Sequence, residues 1–469
     1  MSDAAGLDLS HAQLFLDDAL IEDHARVARR FHAARKHAEP ILRPDRPWEG
    51  ATPVMFGTVL RHEGRFRMWY CTGHPASPVQ VCYAESDDGL HWRKPALGLI
   101  PWQGSTENNI CLSPVDAPYI DDISVIEDPQ DARWPLKALF WEGAGSAQPN
   151  SGIRAARSRD GIRWDVLPGF VLDFGDRFNA MPHRDHGRFV LLGRTPATYQ
   201  GRHGPCGQDR LVFRTESGDL LHWSGPVLVN KPDLQDPPPF RIYSQTAFRY
   251  EGRLLGFLER MWVVPDVVDP ELTWSEDGFS WQRAAERAAF IPRGASGTWD
   301  GNWLNLSSNG PIPVGNRLWF YYSGRSGCHA CPYPTIGAFG LATLRRDGFA
   351  SIDAEEEPGY LTTKPFLWPG GDLLVNADPR RSADSHPRHI AGWLAADVRD
   401  ADGNVLPGFD LESCRRIEAN SERESATGYL PLGWRPDRSL DDLKGRTLRL
   451  RFHLKDVALY SFKSAPKAS

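Results

Sequence analysis

Acidic and basic side chains stand in this chain where strand-like apolar runs begin or end. Asp121 and Asp122 open "DDISVI", Glu49 sits beside Trp48 in "PWEG", Asp176 leads into "RFNAMP", Tyr243 and Gln245 lie in "IYSQ", and Asp300 precedes Trp303 in "TWDGNW". Run ends add Trp141 and Glu142 in "FWEG", Arg194 in "LLGRT", Glu259 and Arg260 in "FLER", and Arg325 with His329 shortly after it. Paired carboxyls are the parts needed to cleave a glycosidic bond: one protonates the leaving oxygen, the other attacks the sugar or activates water. Arginines hold hydroxyls or a carboxylate through a planar fork of donors. Tryptophans offer flat apolar faces to the C–H side of a sugar ring. Any one of these residues can equally be a solvated loop group or half of a structural ion pair. Their convergence as a ring would make a sugar site.

The elements that must position them are announced by a repeat. "SDDGLHW" (Ser86–Trp92), "SRDGIRW" (Ser158–Trp164) and "SEDGFSW" (Ser275–Trp281) share S-x-D-G-x-x-W. "SGDLLHW" (Ser217–Trp223) lacks the Gly, and "RRDGFAS" (Arg345–Ser351) puts Ser in place of Trp. The copies start at 86, 158, 217, 275 and 345, and such self-similarity marks a repeat architecture. Asp-Gly is turn chemistry, since Gly accepts positive φ and Asp bonds its own backbone. Each box therefore reads as a hairpin whose Trp anchors the returning strand in the seam between sheets, a structural staple and not a catalytic group.

Each unit parses as four strands, as in "TPVMFGTVLRHEGRFRMWY" followed by "VQVCYAES". Five units predict an all-β fold, a five-bladed β-propeller over residues 40–365. Residues 1–39 form an N-terminal extension packing on it, with a short helix expected around Ala25–Lys36. Beyond "LTTKPFLWPGG" the repeat stops, and "DLLVNAD", "IAGWLAADVRD", "TLRLRFHL" and "VALYSFK" predict a C-terminal β-sandwich over residues 366–469.

With 54 basic against 60 acidic residues the net charge is −6, a mild mixed balance that argues against nucleic-acid or membrane-surface partners. No apolar run approaches the ~20 residues of a membrane span. The N-terminus lacks a basic and an apolar signal region, so cytoplasmic residence is expected. Seven scattered cysteines suggest no disulfide framework, and they are expected to be unpaired. "CHAC" (Cys328–Cys331) is a single cluster without a second Cys pair, so no zinc, no other metal and no cofactor are expected. No Gly-rich phosphate cradle, nucleophile elbow or HExxH motif occurs.

A five-bladed propeller followed by a β-sandwich resembles the clan of invertases, inulinases and levansucrases, and the propeller alone resembles the arabinanase and xylosidase families. "DDISVI" (Asp121–Ile126) is similar to the Asp-x-x-Val-Ile start of an inner strand in that clan. The "NDPNG" and "RDP" signatures are absent, and in "DRFNAMP" Asp176 and Asn179 stand where a third-blade glutamate is expected. The resemblance implies a glycoside hydrolase with a carbohydrate substrate, furanosides being the first to try. It implies Asp122 as transition-state stabiliser or pKa modulator, Glu49 as nucleophile or base, and Glu259 as general acid with Asp176 as its competitor. Trp48, Asp121, Trp141, Glu142, Arg194, Tyr243, Gln245, Arg260, Asp300, Trp303, Arg325 and His329 would bind the sugar. Two alternatives stay open: a phosphate-dependent glycoside phosphorylase, with Arg194, Arg260, Arg325 and His329 holding phosphate, and a non-catalytic carbohydrate-binding propeller. Self-association into a homo-oligomer is compatible with either.

Overall fold

Short runs of alternating or wholly apolar residues between Gly- and Asp-rich turns can bury themselves only by pairing, and they pair into sheets throughout. A computed structural model describes residues 7–50, 54–72, 79–144, 150–183, 187–194, 210–328, 335–380, 392–419 and 427–466. The fold is all-β: among the described residues the helical segment is one turn of 3-10 helix, Leu440–Leu443. The helix expected around Ala25–Lys36 is replaced by the strands Ile21–Ala25, Ala28–Phe31 and Arg35–Lys36. Each finds a strand edge to complete, and that pairing outweighs local helix preference.

The chain divides into two compact units. One comprises residues 33–312 and 319–343. In it, three consecutive four-stranded antiparallel sheets run in chain order. Sheet I holds Val54–His62, Arg65–Cys71, Val81–Ser86 and Ile110–Leu112; sheet II holds Tyr119–Glu127, Leu136–Gly143, Gly152–Ser158 and Trp164–Val166. Sheet III holds Phe178–His183, Arg188–Arg194, Val212–Ser217 and Val227–Asn230. Group IV (Phe240–Tyr250, Arg253–Trp262, Val267–Ser275, Gln282–Arg283) and group V (Trp303–Leu306, Arg317–Arg325, Gly337–Arg345) merge through one parallel pair, Val268 opposite Trp303. The outer strand of group V is Arg35–Lys36, far away in sequence. This local non-contiguity is invisible to a parse that seeks four successive strands per unit.

The first strands of these groups are stitched together by short polar side chains. Val125 N–H donates to Thr58 Oγ1 at 2.8 Å, Ala180 N–H to Ser124 Oγ at 3.1 Å, and Ala247 N–H to Asn179 Oδ1 at 2.8 Å. Val59 N–H donates to Ser307 Oγ at 2.9 Å, which ties group V back to sheet I.

The first four boxes lie between third and fourth strands and seal neighbouring sheets, whereas the fifth, Arg345–Ser351, leads from Gly337–Arg345 into Ala350–Ala354 of the other unit. In the first, Ser86 Oγ accepts from Gly89 N–H while Asp88 Oδ1 accepts from Leu90 and His91 N–H, each at 2.8 Å. The same bonds recur at Ser158, Ser217 and Ser275. Gly89 faces group V, where Tyr321 O–H donates to its carbonyl at 3.0 Å, and Gly161 faces sheet I, where Trp69 Nε1 donates to its carbonyl at 2.6 Å. The box without Gly places Leu220 at φ +67° and buries its side chain with Ile126 and Leu139 of sheet II.

A methyl group at Gly161 would meet Trp69 Cζ2 at 2.7 Å at a φ of +74°, whereas at Gly64, φ +80°, it would meet nothing within 4 Å. Gly64→Ala should therefore show only the left-handed cost, about 1–2 kcal/mol. Gly161→Ala should add an overpacking cost of about 1–3 kcal/mol. Urea midpoints compare the two, and equal losses would remove the box from the seam.

The other unit comprises residues 1–32, 313–318 and 344–469. Its two six-stranded sheets centre on Val457–Ala465 and Thr447–Lys455. Leu448, Leu450, Phe452 and Leu454 alternate inward from one, and Leu459 and Phe462 come from the other, into one apolar cluster with Phe15 and Trp368. Ala350–Ala354 and Gly359–Thr363, expected to belong with the repeats, pair instead with these two central strands.

Candidate active site

Two bulges shape the candidate site. In sheet II, Asp122 lies opposite Trp141 and Ile120 opposite Glu142, leaving Asp121 as the extra residue. In group IV, Ile242 lies opposite Arg260 and Ser244 opposite Glu259, leaving Tyr243 as the extra one. A bulge interrupts the alternation that would send neighbours to opposite faces. Asp121 and Asp122 consequently need not face opposite sides of the sheet, and the charge of Asp122 acts on Asp121.

Its lower tier is built on Arg177, immediately before the first strand of sheet III and fully buried. Its Nη1 donates to Asp122 Oδ2 at 3.1 Å, and its Nε and Nη2 donate to the Glu259 carboxylate at 3.2 and 2.7 Å. Nη2 also reaches the Leu306 carbonyl at 3.1 Å, and Phe178 N–H donates to Asp122 Oδ2 at 3.0 Å. Burial pushes the Asp122 carboxyl up to about 6 against the pull of Arg177. Burial alone would lower Arg177, but Glu259 and Asp122 outweigh it and hold the guanidinium above its usual range.

The upper tier reaches solvent. Asp121 and Asp176 are partly exposed, and Arg194 Nη2 lies 2.7 Å from Asp176 Oδ1. Gly175 leaves room for that guanidinium, because a Cβ there would sit 2.8 Å from Arg194 Nε. Burial, then the charges of Asp176 and Asp122, push Asp121 up to about 8, while Arg194 and Arg325 pull the other way. Tyr119 and Tyr243 are each raised to about 12, by burial first and these acids next. Arg210 lies 4.6 Å over the Tyr243 ring, Tyr243 meets Trp303 edge-on at 4.8 Å, and Arg325 lies 4.1 Å over Trp303.

The structure thus gathers Asp121, Asp122, Asp176, Arg194, Tyr243, Glu259, Trp303 and Arg325. It does not bring the other expected residues into this arrangement. Glu49 is buried with both oxygens engaged, by Tyr70 O–H at 2.6 Å, Lys94, and the Asp45 and Arg46 N–H groups. Glu142 accepts from the N–H groups of Val115, Asp116 and Ala117 and pairs with Arg154 at 3.2 Å. Arg260 is held by Asp269 at 2.8 Å, Asp300 by Lys36 at 2.7 Å, and Gln245 by Asn230 at 2.8 Å. Trp141 is fully buried with its Nε1 on the Phe174 carbonyl, and Trp48 donates to Asn109 at 2.7 Å. His329 lies outside the described residues.

Sequence reasoning passes over Arg177, Arg210 and Tyr119. Arg177 had a signal: a cation directly ahead of an inner strand, next to the Asp176 already singled out. Cys328 is disulfide-bonded, which corrects the expectation of unpaired cysteines, whereas Cys71, Cys82, Cys111 and Cys414 are buried thiols outside any disulfide. Cys331 of the "CHAC" segment lies outside the described residues, and among the described residues no cluster of metal-ligating side chains occurs. No described helix is long and apolar enough to cross a membrane.

No family model matches the sequence, and no curated protein matches it. Solved structures do. An N-acetylgalactosamine deacetylase from F. plautii, in complex with blood group B trisaccharide, is 16% identical, with 69% of this chain and 97% of that one covered at a TM-score of 0.49. A structure from the family-130 mannoside phosphorylases, said to contain glycoside hydrolases that target β-1,2-mannosidic linkages in Candida mannan, is 12% identical, covering 67% and 94% at 0.49. A glycosyl hydrolase from Bacteroides ovatus is 13% identical, covering 67% and 94% at 0.47. None of the three reaches a TM-score of 0.5, so each is a likeness that carries nothing to the site.

Proposed function

We propose that the protein is a glycoside hydrolase whose reacting carboxyls are Asp121 and Asp176. In this reading the five strand groups are the blades of a propeller, with Arg35–Lys36 completing the fifth, and the two six-stranded sheets form a sandwich. The supporting observation is a pair of partly exposed carboxyls in electrostatic contact, one pushed up to about 8 and the other paired with Arg194 at 2.7 Å.

Two carboxyls with environments pushed apart divide the acid and base roles between them. Near neutral pH Asp121 keeps its proton and can give it to the leaving oxygen. Asp176, facing Arg194, acts as the carboxylate that attacks the anomeric carbon or activates water. Asp122 lies beneath as a third acid whose charge helps hold the proton on Asp121. Arg177 and Glu259 act as positioning residues, since Glu259 is buried with both oxygens on Arg177.

Offered aryl pyranosides and furanosides of both anomeric configurations, and small oligosaccharides, the protein should release free sugar. Asp176→Asn should lower that release by about 10²-fold or more while sugar binding persists. Release from no member of the panel, or undiminished release by the variant, would overturn the assignment.

A further inference from the structure

Tyr119 opens the first strand of sheet II, two residues ahead of Asp121. Alternation sends side chains i and i+2 to one face of a strand, and here Tyr119 and Asp121 are half-buried while Ile120 between them is fully buried. Ile120 joins the apolar cluster that holds Trp69 and Val81 of sheet I. The Tyr119 ring lies instead 5.8 Å from that of Trp141, which packs with Phe178 of sheet III. The phenol therefore stands on the side of its strand that faces sheet III, and Asp176 comes just ahead of that sheet's first strand, Phe178–His183. The electrostatics agree: burial first, then the charges of Asp121 and Asp176, raise the Tyr119 hydroxyl to about 12. Near neutral pH it is an intact phenol.

Other tyrosines of this unit use their hydroxyls to close the fold. Tyr70 donates to Glu49 at 2.6 Å, Tyr321 to the Gly89 carbonyl at 3.0 Å, and Tyr322 to Asp300 at 3.4 Å. The Tyr119 hydroxyl has no hydrogen-bond partner among the described residues. Its ring is fixed by Trp141 and its backbone by the pairing with Gly143, while its oxygen is left open beside the two acids.

In the glycosidase reading, on which this inference rests, Asp121 serves the leaving oxygen and Asp176 the anomeric carbon. A group in electrostatic contact with both acids is placed for atoms on or next to that carbon. The ring oxygen is a poor target, because a donor there opposes the positive charge that grows on it in the transition state. The hydroxyl on the neighbouring carbon is a good one. It becomes a stronger donor as that charge grows, so a bond from it tightens in the transition state, where it lowers the barrier. A tyrosine oxygen accepts such a bond while its own proton points elsewhere. We propose that Tyr119 receives the hydrogen bond of the sugar hydroxyl next to the anomeric carbon, with its phenolic proton turned to the Asp176 carboxylate. The substrate class that follows is an aldose glycoside with a free 2-hydroxyl.

The test pairs Tyr119→Phe with a 2-deoxy substrate. The probes are the 4-nitrophenyl glycoside that the native protein hydrolyses best and its 2-deoxy counterpart. Phe keeps the ring on Trp141 and removes only the oxygen, so the variant should melt where the native protein does. On the parent glycoside it should lose about tenfold or more in kcat/KM, mostly in kcat. On the 2-deoxy glycoside it should lose less than about threefold, because the bond is already missing there. Equal losses on the two substrates, or no loss on the parent, would overturn the contact. Release that depends on Asp176 and not on Tyr119 would overturn this inference and leave the glycosidase reading standing. Should the native protein release sugar from neither probe, the glycosidase reading falls and calorimetry decides the contact. The free parent sugar should then bind about threefold to tenfold tighter than its 2-deoxy form to the native protein, and equally to Tyr119→Phe. Native affinities that do not differ, or no binding of either sugar, would overturn the contact as well.

Discussion

Asp121→Asn should lower turnover of a glycoside with a poor leaving group by about 10²–10⁴-fold, the range for loss of a general acid. A substrate whose leaving group needs no proton, such as a dinitrophenyl glycoside, should lose far less. That contrast isolates proton donation from binding, because Asn keeps the shape of the side chain. The pH profile supplies a second reading. In the native protein kcat/KM should fall as pH rises through about 8, where Asp121 loses its proton. That limb belongs to the coupled carboxyls together, and it should vanish in the variant. Stability should follow the same group. Its folded value lies above the ordinary carboxyl value of 3.8, so the folded state holds the extra proton between the two. The stabilisation is fully present below about pH 4 and is lost as pH rises through about 8. Asn cannot ionise, so the variant should gain stability relative to the native protein across that window. A pH-independent rate deficit equal for good and poor leaving groups would show that Asp121 is not the acid.

What was legible in the sequence divides by the distance over which its cause acts. The boxes are local: Ser86, Asp88 and Gly89 bond one another within three residues, so their spacing declares the turn. The seams follow, because a backbone fixed at Gly161 can receive the indole of Trp69 only if the sheets pack side by side. Asp121 and Asp122 stand out because carboxylates rarely open an apolar strand. The same anomaly marks Glu49, Glu142, Arg260 and Asp300, yet their partners are Lys94, Arg154, Asp269 and Lys36. Nothing near Glu49 in sequence distinguishes a carboxylate that closes a loop from one that faces substrate. The decision lies in contacts up to 264 residues apart, as for Lys36 and Asp300. The outer strand of group V was hidden for the same reason, since Arg35–Lys36 carries no pattern naming Gly337–Arg345 as its mate.

Arg177→Met should destabilise the protein by about 3–5 kcal/mol, the typical cost of removing one partner from a buried ion pair. Arg177, Asp122 and Glu259 are each fully buried, and the guanidinium donates to both acids at once. Met fills a similar volume, so most of the loss comes from two carboxylates left without a counter-charge and not from a cavity. Deprived of Arg177, the Asp122 carboxyl, already raised by burial, should move further upward and take up a proton more readily. The folded state then binds more protons than the unfolded one at mildly acidic pH, so the deficit should shrink as pH is lowered from 8 towards 5. Neutralising the acids in the same background, as Arg177→Met with Asp122→Asn and Glu259→Gln, should recover much of the loss, since replacing all members of a buried ionic group is far milder than orphaning some of them. Urea midpoints at several pH values measure each variant. A deficit that is the same at pH 5 and pH 8, and that neutralising both acids does not repair, would mean that Arg177 acts by filling space and that the lower tier is not held by charge.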